Sequence, residues 1–347
     1  MMKYSFIIPV YNCRVYLPAC IASIRAADLP DYEILLIDDG STDGSGELCE
    51  ELAICYPEIR VIHQENAGAS GARNRGILES AGNNLIFVDA DDTLDPEELR
   101  QICLDPRCIQ TDLTVFGMTF DYYKNGACYR RDPLWFPEEG ILLKAAWGTM
   151  LSKLYECNAL SPVWNKVFQR EILIRFGLRF DEKLFLYEDF EFVLRYLQHC
   201  ENIWNVPKAI YHYRQSEDEG NAVRRLARID CIPEFLGPIE TALEGLRRSN
   251  VSVTKVQTDR VLQQLYLVLA REKISGSRLP EIRKICRDFS AWSENRDLPE
   301  DASVFQKRLQ TEKAALLLLA SKKSALRHRL AVWVKSHIHS LREKKNG

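Results

Sequence analysis

The sequence predicts an α/β protein with a mostly parallel sheet, helices on both faces of that sheet, and a helical C-terminal extension. Four short apolar runs without regular alternation, "YSFIIPV", "EILLID", "IRVIH" and "NLIFVD", are typical of strands buried on both faces. Single helical segments separate the runs, which recur at roughly 25 to 30 residues, the spacing of βα units. Beyond residue 222, apolar residues recur at helical spacing instead.

The N-terminal part of the chain repeats this strand and helix pattern in order. After "YSFIIPV", the residues Leu17, Ile21 and Ile24 lie four and three positions apart, which predicts a helix. Further helices are expected at about 44–56, after "EILLID", and at 71–81, after "IRVIH". The fourth strand, "NLIFVD", ends in a group of acidic residues.

The rest of the chain is less regular. Strand-like "LTVFGMTFDYY" and "AIYHYR" flank an amphipathic helical segment, "YEDFEFVLRYL", and a polar stretch near residue 220 indicates a boundary. The predicted divisions are a main domain with two halves, a helical extension and a basic tail. They cover 1–220 (halves 1–110 and 111–220), 221–320 and 321–347.

Composition restricts the class of protein. A net charge of −3 gives no global basic field, so nucleic acid is not an expected partner. The eleven cysteines are scattered without a CxxC pair, which favours reduced core thiols in a cytoplasmic protein over a disulfide framework. Neither a signal peptide nor a membrane-spanning helix is predicted, because the N-terminal apolar run is short and interrupted by Pro9.

The acidic residues after the fourth strand divide into two groups. Asp95, followed by Pro96, is predicted to cap a helix. Asp89 and Asp91 lie two positions apart at a strand end, where carboxylates ~4 Å apart repel by roughly 1 to 4 kcal/mol. A divalent cation that also holds a diphosphate would offset this repulsion, and a solvated acidic turn is the alternative.

The loop after the third strand, "ENAGASGARNRG", does not match the common nucleotide-binding loops. It lacks the GxGxxG pattern, and Ile77 stands where a P-loop requires lysine, so dehydrogenase and P-loop NTPase folds are not expected. The loop offers backbone amides and two arginines, Arg73 and Arg75, which are suited to phosphate or to the edge of a base.

Five ordered motifs together resemble the family 2 glycosyltransferases, which have the nucleotide-binding, Rossmann-like GT-A fold. They are "FIIPVYN", "LLIDDGSTDGS", "NAGASGARNRGI", "LIFVDADD" and "YEDFEFVLR", and the resemblance covers roughly residues 3 to 215. It implies that 1–110 binds the nucleotide and that 111–220 binds the acceptor.

The resemblance also implies a set of residues that bind a UDP-sugar. Tyr11 would pack on the uracil, Asp39 would accept the uracil N3–H, and Arg73 would contact the base or the phosphates. The whole expected set is Pro9, Tyr11, Asn12, Asp38, Asp39, Gly68, Arg73, Asp89 and Ala90. Asp91 would bind Mg²⁺ or Mn²⁺ directly, and His212 lies where some relatives have a further metal ligand.

The same resemblance assigns the acceptor side. Asp189 would take the proton of the acceptor hydroxyl as the configuration inverts, although acidic residues also stabilise a helix N-terminus without any catalysis. Expected acceptor contacts are Trp164, Asn165, Lys166 and Glu188. A tryptophan buried in the core is the alternative for Trp164.

The C-terminal segment 322–345 is basic and amphipathic, with a tryptophan among its cations. Such a helix either lies on an anionic membrane surface or docks on the protein with a solvated basic face. The first interpretation implies a lipid-linked saccharide acceptor at the inner face of the membrane and a place in polysaccharide synthesis.

The predicted function is therefore metal-dependent, inverting transfer of a sugar from a UDP-sugar to a saccharide hydroxyl. Two alternatives stay open at this point. A sugar-phosphate nucleotidyltransferase would usually have a Gly-rich loop with Arg and Lys after the first strand, where this chain has "YNCRVY". A non-catalytic sugar-nucleotide-binding protein would have no need for a base at Asp189.

Overall fold

A computed structural model describes residues 3–184, 187–216, 232–249 and 251. The strands are β1 Tyr4–Val10, β2 Tyr32–Asp38, β3 Ile59–His63, β4 Asn84–Phe87, β5 Thr93–Leu94, β6 Leu113–Lys124, β7 Ala127–Leu134, β8 Gly140–Leu143, β9 Lys166–Gln169 and β10 Asn202–Ser216. The helices are α1 Leu17–Arg25, α2 Ser45–Cys55, α3 Gly68–Glu79, α4 Pro96–Leu104, α5 Pro106–Gln110, α6 Trp147–Glu156, α7 Arg170–Arg175, α8 Glu188–Leu197 and α9 Ile232–Arg248.

The N-terminal half forms the predicted parallel sheet. The strand order is β3, β2, β1, β4, and all three neighbouring pairs are parallel. The central strands β1, β2 and β4 are almost completely buried, as their non-alternating apolar sequences predict. Helix α3 lies close to β1, since a Cβ on Gly76 would be only 2.2 Å from Ile7 Cγ2.

The second half extends the same sheet with mixed strand directions. β9 pairs antiparallel with both β4 and β6, β6 pairs parallel with β10, and β5 pairs antiparallel with β10. The short pairing of β5 with β10 sets His212 opposite Thr93. The last strand of the second half, β10, is therefore brought back to the acidic turn that follows β4.

Most predicted helices are confirmed, and α3 begins earlier than expected. Asp95 caps α4, since its side chain accepts a hydrogen bond from Glu98 N at 2.9 Å. The sequence predicted a helix from 71, but α3 starts at Gly68. Its first amides are bound by the distant Asp39 side chain, which local sequence patterns do not reveal.

The C-terminal predictions are mostly untested. Helix α9 agrees with the predicted helical extension, whereas the apolar stripes beyond 252 and the tail 322–345 lie outside the described residues. The divisions at 220 and 320 stay predictions. Among the described residues, no helix has the length and apolar character needed to cross a bilayer.

Candidate functional site

The loop after β1 is exposed and bound to the loop after β2. Tyr11 is 53% exposed, while Pro9 is half-buried in β1. Asn12 has a left-handed backbone with φ 51°, and its Oδ1 accepts a hydrogen bond from Thr42 N at 2.8 Å. The predicted base-stacking residue Tyr11 therefore has an open ring beside a loop held in place by Asn12.

The two acids at the end of β2 have different surroundings. Asp38 Oδ2 lies 2.8 Å from His63 Nδ1, and Asp38 Oδ1 accepts from Ser41 N at 3.1 Å. Burial raises the pKa of Asp38, but the hydrogen bonds from Ser41 and His63 outweigh it and lower that pKa below its usual value. The structure thus gives Asp38 partners within the protein, and its predicted contact with the donor stays a prediction.

Asp39 connects the end of β2 to the start of α3. Its Oδ1 accepts from Gln64 Nε2 at 2.7 Å and Ala67 N at 2.8 Å, and its Oδ2 accepts from Gly68 N at 2.8 Å. A carboxylate has about four acceptor positions, so one is left for a ligand such as the uracil N3–H. Gly68 has φ +77°, and nothing lies within 4 Å of where a Cβ would stand, so this corner is open.

Arg73 is the central cation of the site. Its guanidinium donates through Nη2 to Asp89 Oδ1 at 2.8 Å and through Nη1 to Asp189 Oδ1 at 2.9 Å, with Glu188 Oε1 4.0 Å away. The Arg73 side chain is only 5% exposed. Burial alone would lower its pKa, but the charges of Asp189, Asp89 and Glu188 raise it, so Arg73 is a permanent cation.

The acidic turn after β4 is fixed by Asp92, which is not among the predicted site residues. Asp92 is 1% exposed, and it accepts from Arg214 N at 2.7 Å and from the Tyr211 hydroxyl at 2.8 Å. Asp89 N donates in turn to the Tyr211 oxygen at 3.0 Å. Burial and the neighbouring charges of Asp91 and Asp89 raise the pKa of Asp92 well above its usual range.

The hydrogen bonds of Asp92 also position the other three residues of this turn. Ala90 is buried, Asp89 is partly exposed and binds Arg73, and Asp91 is exposed. No sequence motif singles out Asp92, because its hydrogen-bond partners come from β10, more than a hundred residues along the chain.

Glu188 and Asp189 begin helix α8 at the opposite side of Arg73. The preceding Tyr187 has φ 61°, an uncommon conformation for a residue with a large side chain. Burial and the neighbouring Asp189 raise the pKa of Glu188 to about 7, against the opposing effect of Arg73. Burial also raises the pKa of Asp189, while Arg73 lowers it.

The predicted acceptor contacts at 164–166 are buried. Trp164 stacks on Tyr211 at 4.3 Å and on Tyr213 at 5.4 Å between ring centroids, which is the core position named as its alternative. Asn165 Nδ2 donates to the carbonyls of Phe116 and Ala159. Because Asn165 and Lys166 are fully buried, the structure does not present them to an acceptor, and their predicted contact stays untested.

His212 lies near the acidic turn, and its ring is hydrogen-bonded to Asp121. Its Nδ1 lies 3.1 Å from Asp121 Oδ2, and Asp121 is itself 5% exposed. A carboxylate on one ring nitrogen is the arrangement that orients many metal-binding histidines. Asp121 is a second residue that the sequence did not single out.

The donor chemistry at this turn fits a divalent cation, but the residues that the structure describes do not complete a set of ligands. Carboxylate oxygens such as those of Asp91 suit Mg²⁺ and Mn²⁺. Within the described ranges, no three His, Cys, Asp or Glu side chains gather as a metal-binding group. A cation here would therefore need further oxygens from a bound ligand or from water.

The sequence is similar to a known protein family and to two proteins of Bacillus subtilis. Residues 5–143 match the family model described as glycosyl transferase family 2. The chain is 32% identical over 213 residues to the uncharacterized glycosyltransferase EpsJ of Bacillus subtilis, covering 61% of both chains. It is 29% identical over 298 residues to the putative glycosyltransferase EpsH of the same organism, covering 82% of this chain and 83% of EpsH.

The fold also has solved counterparts. A crystal structure of S. aureus TarS 1–349 in complex with UDP-GlcNAc superposes with a TM-score of 0.65 at 19% identity, covering 90% of this chain and 88% of that one. The match to EpsJ spans less than two thirds of its length, and the similarity to TarS is evidence for the fold. The five ordered motifs and these sequence matches agree that residues 5–143 are similar to the family 2 glycosyltransferases, and the sheet agrees with the GT-A fold.

Proposed function

We propose that this protein transfers a sugar from a UDP-sugar to a hydroxyl of a saccharide acceptor, with inversion at the anomeric carbon and with Mg²⁺ or Mn²⁺. The observation that carries the proposal is the Arg73 bridge. One buried guanidinium binds Asp89, expected on the donor side, and Asp189, expected on the acceptor side. The reacting sugar would therefore lie beside both carboxylates.

The donor side has features suited to a uridine diphosphate. Tyr11 offers an exposed ring, and Asp39 keeps acceptor capacity beside the open corner at Gly68. Arg73 Nε is buried and has no hydrogen-bond partner among the described residues, so the guanidinium keeps an unsatisfied donor beside the carboxylates that it binds. A related fold, TarS, has been solved with UDP-GlcNAc, which supports this choice of nucleotide.

We assign the cation to Asp91, with His212 as a second ligand oriented by Asp121. Bound there, the ion would neutralise charge on the leaving diphosphate. Asp92 and Tyr211 hold the acidic turn in position, and Asp91 remains at the exposed end of that turn. This arrangement leaves the remaining ligand positions for oxygens of the donor.

The chemistry requires one proton acceptor. As the acceptor oxygen bonds to the anomeric carbon, the bond from that carbon to the diphosphate oxygen breaks and its electrons leave with UDP. Asp189 takes the hydroxyl proton, and attack opposite the leaving group inverts the configuration. Arg73 stabilises the carboxylate form of Asp189 that this step needs.

The direct test measures UDP binding, sugar transfer and the dependence of transfer on Mn²⁺ in two variants. We expect Asp189→Asn to bind UDP while losing transfer by at least about 100-fold, the usual contribution of a general base. Asp91→Ala should lose dependence on added Mn²⁺ together with most activity, whereas Glu97→Ala, an exposed acid on α4, should behave like the wild type. Full transfer by Asp189→Asn would refute the assigned base.

The acceptor we propose is a lipid-linked saccharide at the cytoplasmic face of a membrane. The support is the basic amphipathic pattern of 322–345, which lies outside the described residues. Flotation with anionic vesicles should recover the full chain but much less of a form ending at residue 321. Equal recovery of the two forms at low salt would rule out this use of the tail.

A further inference from the structure

Asn74 is a buried polar residue that the proposed mechanism does not use. It follows Arg73 on α3 and is 9% exposed. Its Oδ1 accepts a hydrogen bond from Phe180 N at 2.7 Å, and its Nδ2 donates to Phe180 O at 3.0 Å. The same Nδ2 donates to Glu182 Oε1 at 2.9 Å. One side chain therefore binds both backbone groups of a residue 106 positions along the chain.

The segment 178–182, which contains Phe180, depends on this side chain for its position. Phe180 lies between α7 and α8, outside any helix or strand, and is 3% exposed. A buried backbone amide or carbonyl without a partner destabilises a fold, because it has lost its hydrogen bonds to water. Asn74 supplies the partners of both groups, so it fixes the segment 178–182 to α3.

The segment 178–182 is also packed on α8. The Phe180 ring stacks on the Phe192 ring, with centroids 3.9 Å apart and planes 5° apart. Arg195 of the same helix donates through Nη2 to the carbonyl of Arg179. Phe192 is three positions after Asp189, so both lie on one face of α8. The segment therefore packs against the helix face that carries Asp189.

Two neighbouring residues of α3 thus hold Asp189 in different ways. Arg73 binds the Asp189 carboxylate at 2.9 Å, and its Cζ lies 5.5 Å from the centroid of the Phe180 ring. An arginine side chain is long and has many rotamers, so it can follow a displaced carboxylate. Asn74 is short and binds backbone on both sides of its amide, so it restricts the position of α8 more closely.

We propose that Asn74 is a positioning residue for sugar transfer, which fixes Phe180 between α3 and α8 and so sets the position of Asp189 relative to the donor. This inference rests on the proposed role of Asp189 as the base. Asn74 itself touches neither the sugar nor the acceptor.

The first experiment measures kcat for transfer and the Kd for UDP with Mn²⁺ in Asn74→Ala. This change removes both partners of the Phe180 backbone, so the N-terminal end of α8 should shift. A displacement of about 1 Å at a reacting group costs on the order of 100-fold in rate, so we expect kcat to fall by about 10- to 100-fold. The Kd should stay unchanged, because Tyr11 and Asp39, expected at the base, do not contact Asn74.

Asn84→Ala is the matched control for loss of a buried asparagine. Asn84 is 4% exposed, and its Nδ2 donates to the carbonyl of Lys3 at 3.1 Å. It is the first residue of β4, at the opposite end of that strand from Asp89. Both variants should be less stable than the wild type, but only Asn74→Ala should lose kcat when both are assayed well below their unfolding transitions. Equal losses of kcat in the two variants would overturn the proposal.

The double variant Asn74→Ala/Asp189→Asn separates positioning of the base from general damage to the fold. If Asn74 acts through Asp189, its removal costs nothing more once the base is gone, and the double variant keeps the residual rate of Asp189→Asn. A purely structural role would lower that residual rate again by the factor measured for Asn74→Ala alone. Such a second loss would overturn the proposal.

If Asn74→Ala fails to fold, Phe180→Leu decides in its place. It keeps the backbone groups that bind Asn74 and removes the ring that stacks on Phe192. We expect kcat to fall in this variant with the Kd for UDP unchanged, and a wild-type kcat would refute the connection through α8.

The proposed function fails separately, if Asp189→Asn transfers sugar at the wild-type rate. Loss of transfer in Asp189→Asn together with a wild-type kcat in Asn74→Ala would overturn only the role of Asn74.

Discussion

Arg73 is the residue on which the charge balance of the site depends. Asp89, Glu188 and Asp189 all lie around its guanidinium, so one cation faces three carboxyl groups. Three ionised carboxylates would leave excess negative charge in a poorly solvated place. Burial and the neighbouring Asp189 raise the pKa of Glu188 to about 7, so Glu188 is largely protonated below neutral pH.

This raised pKa predicts a specific pH dependence of stability. A carboxyl group whose pKa is higher in the folded than in the unfolded state binds more protons when folded, so the free energy of unfolding falls as the pH rises from about 4.5 to 7. Glu188→Gln removes that loss. We expect the free energy of unfolding of this variant to exceed that of the wild type by about 1 to 3 kcal/mol, with the difference growing from pH 5 to pH 8.

Urea unfolding of both proteins at several pH values measures the difference. Glu171→Gln, which replaces an exposed acid on α7, is the matched control and should follow the wild type. Parallel curves for the wild type and Glu188→Gln would show that Glu188 ionises normally in the folded protein.

The end of a strand, where an α/β sheet binds ligands, identified Asp89 as a site residue, and the resemblance to family 2 glycosyltransferases identified Asp189. They could not show that Arg73 joins the two, since Arg73 and Asp189 are 116 positions apart. Lys166 was predicted to contact the acceptor from the same resemblance. The fold encloses it and satisfies it with backbone carbonyls, which local sequence does not reveal, and its predicted contact stays untested.

At the level of elements, the acidic turn is held by β10. Asp92 joins this turn to the Tyr211 hydroxyl and the Arg214 amide, and the same hydroxyl accepts from Asp89 N. Local sequence predicted the turn and the cap at Asp95. It could not predict the pairing of β5 with β10 that brings the partners of Asp92 into place.

The anchor predicts strong coupling between Asp92 and Tyr211. Asp92→Ala leaves a buried amide and hydroxyl without an acceptor, so we expect a loss of about 2 to 4 kcal/mol in stability. Tyr211→Phe should cost less after Asp92→Ala than in the wild type, by an interaction energy of about 1 to 2 kcal/mol. A double-mutant cycle by chemical denaturation measures this energy.

Asp95→Ala is the matched comparison, because it removes a nearby carboxylate that caps α4 and does not bind Tyr211. Its loss of about 1 kcal/mol should simply add to that of Tyr211→Phe. Additive losses for Asp92→Ala and Tyr211→Phe would mean that the turn is held by other contacts.

For the whole molecule, the sheet edge formed by the ends of β1, β2 and β4 predicts a nucleotide effect on stability. A ligand that binds only the folded state stabilises it by about 2.7 kcal/mol at 100 times its Kd. For a domain of this size, that corresponds to a rise in Tm of roughly 5 to 10 °C. We expect this rise with UDP and Mn²⁺ together, and a much smaller one after EDTA or in Asp91→Ala.

Nucleotides with different bases test whether Asp39 binds the base. Uracil donates a hydrogen bond from N3 whereas cytosine accepts one there, so a remaining acceptor position on Asp39 favours UDP over CDP. Thermal unfolding with UDP, CDP and GDP at equal concentration should rank UDP first, and Asp39→Asn should remove most of that preference. Equal shifts for the three nucleotides would place the base away from Asp39, because a diphosphate held by Arg73 and the acidic turn stabilises the fold regardless of the base attached to it.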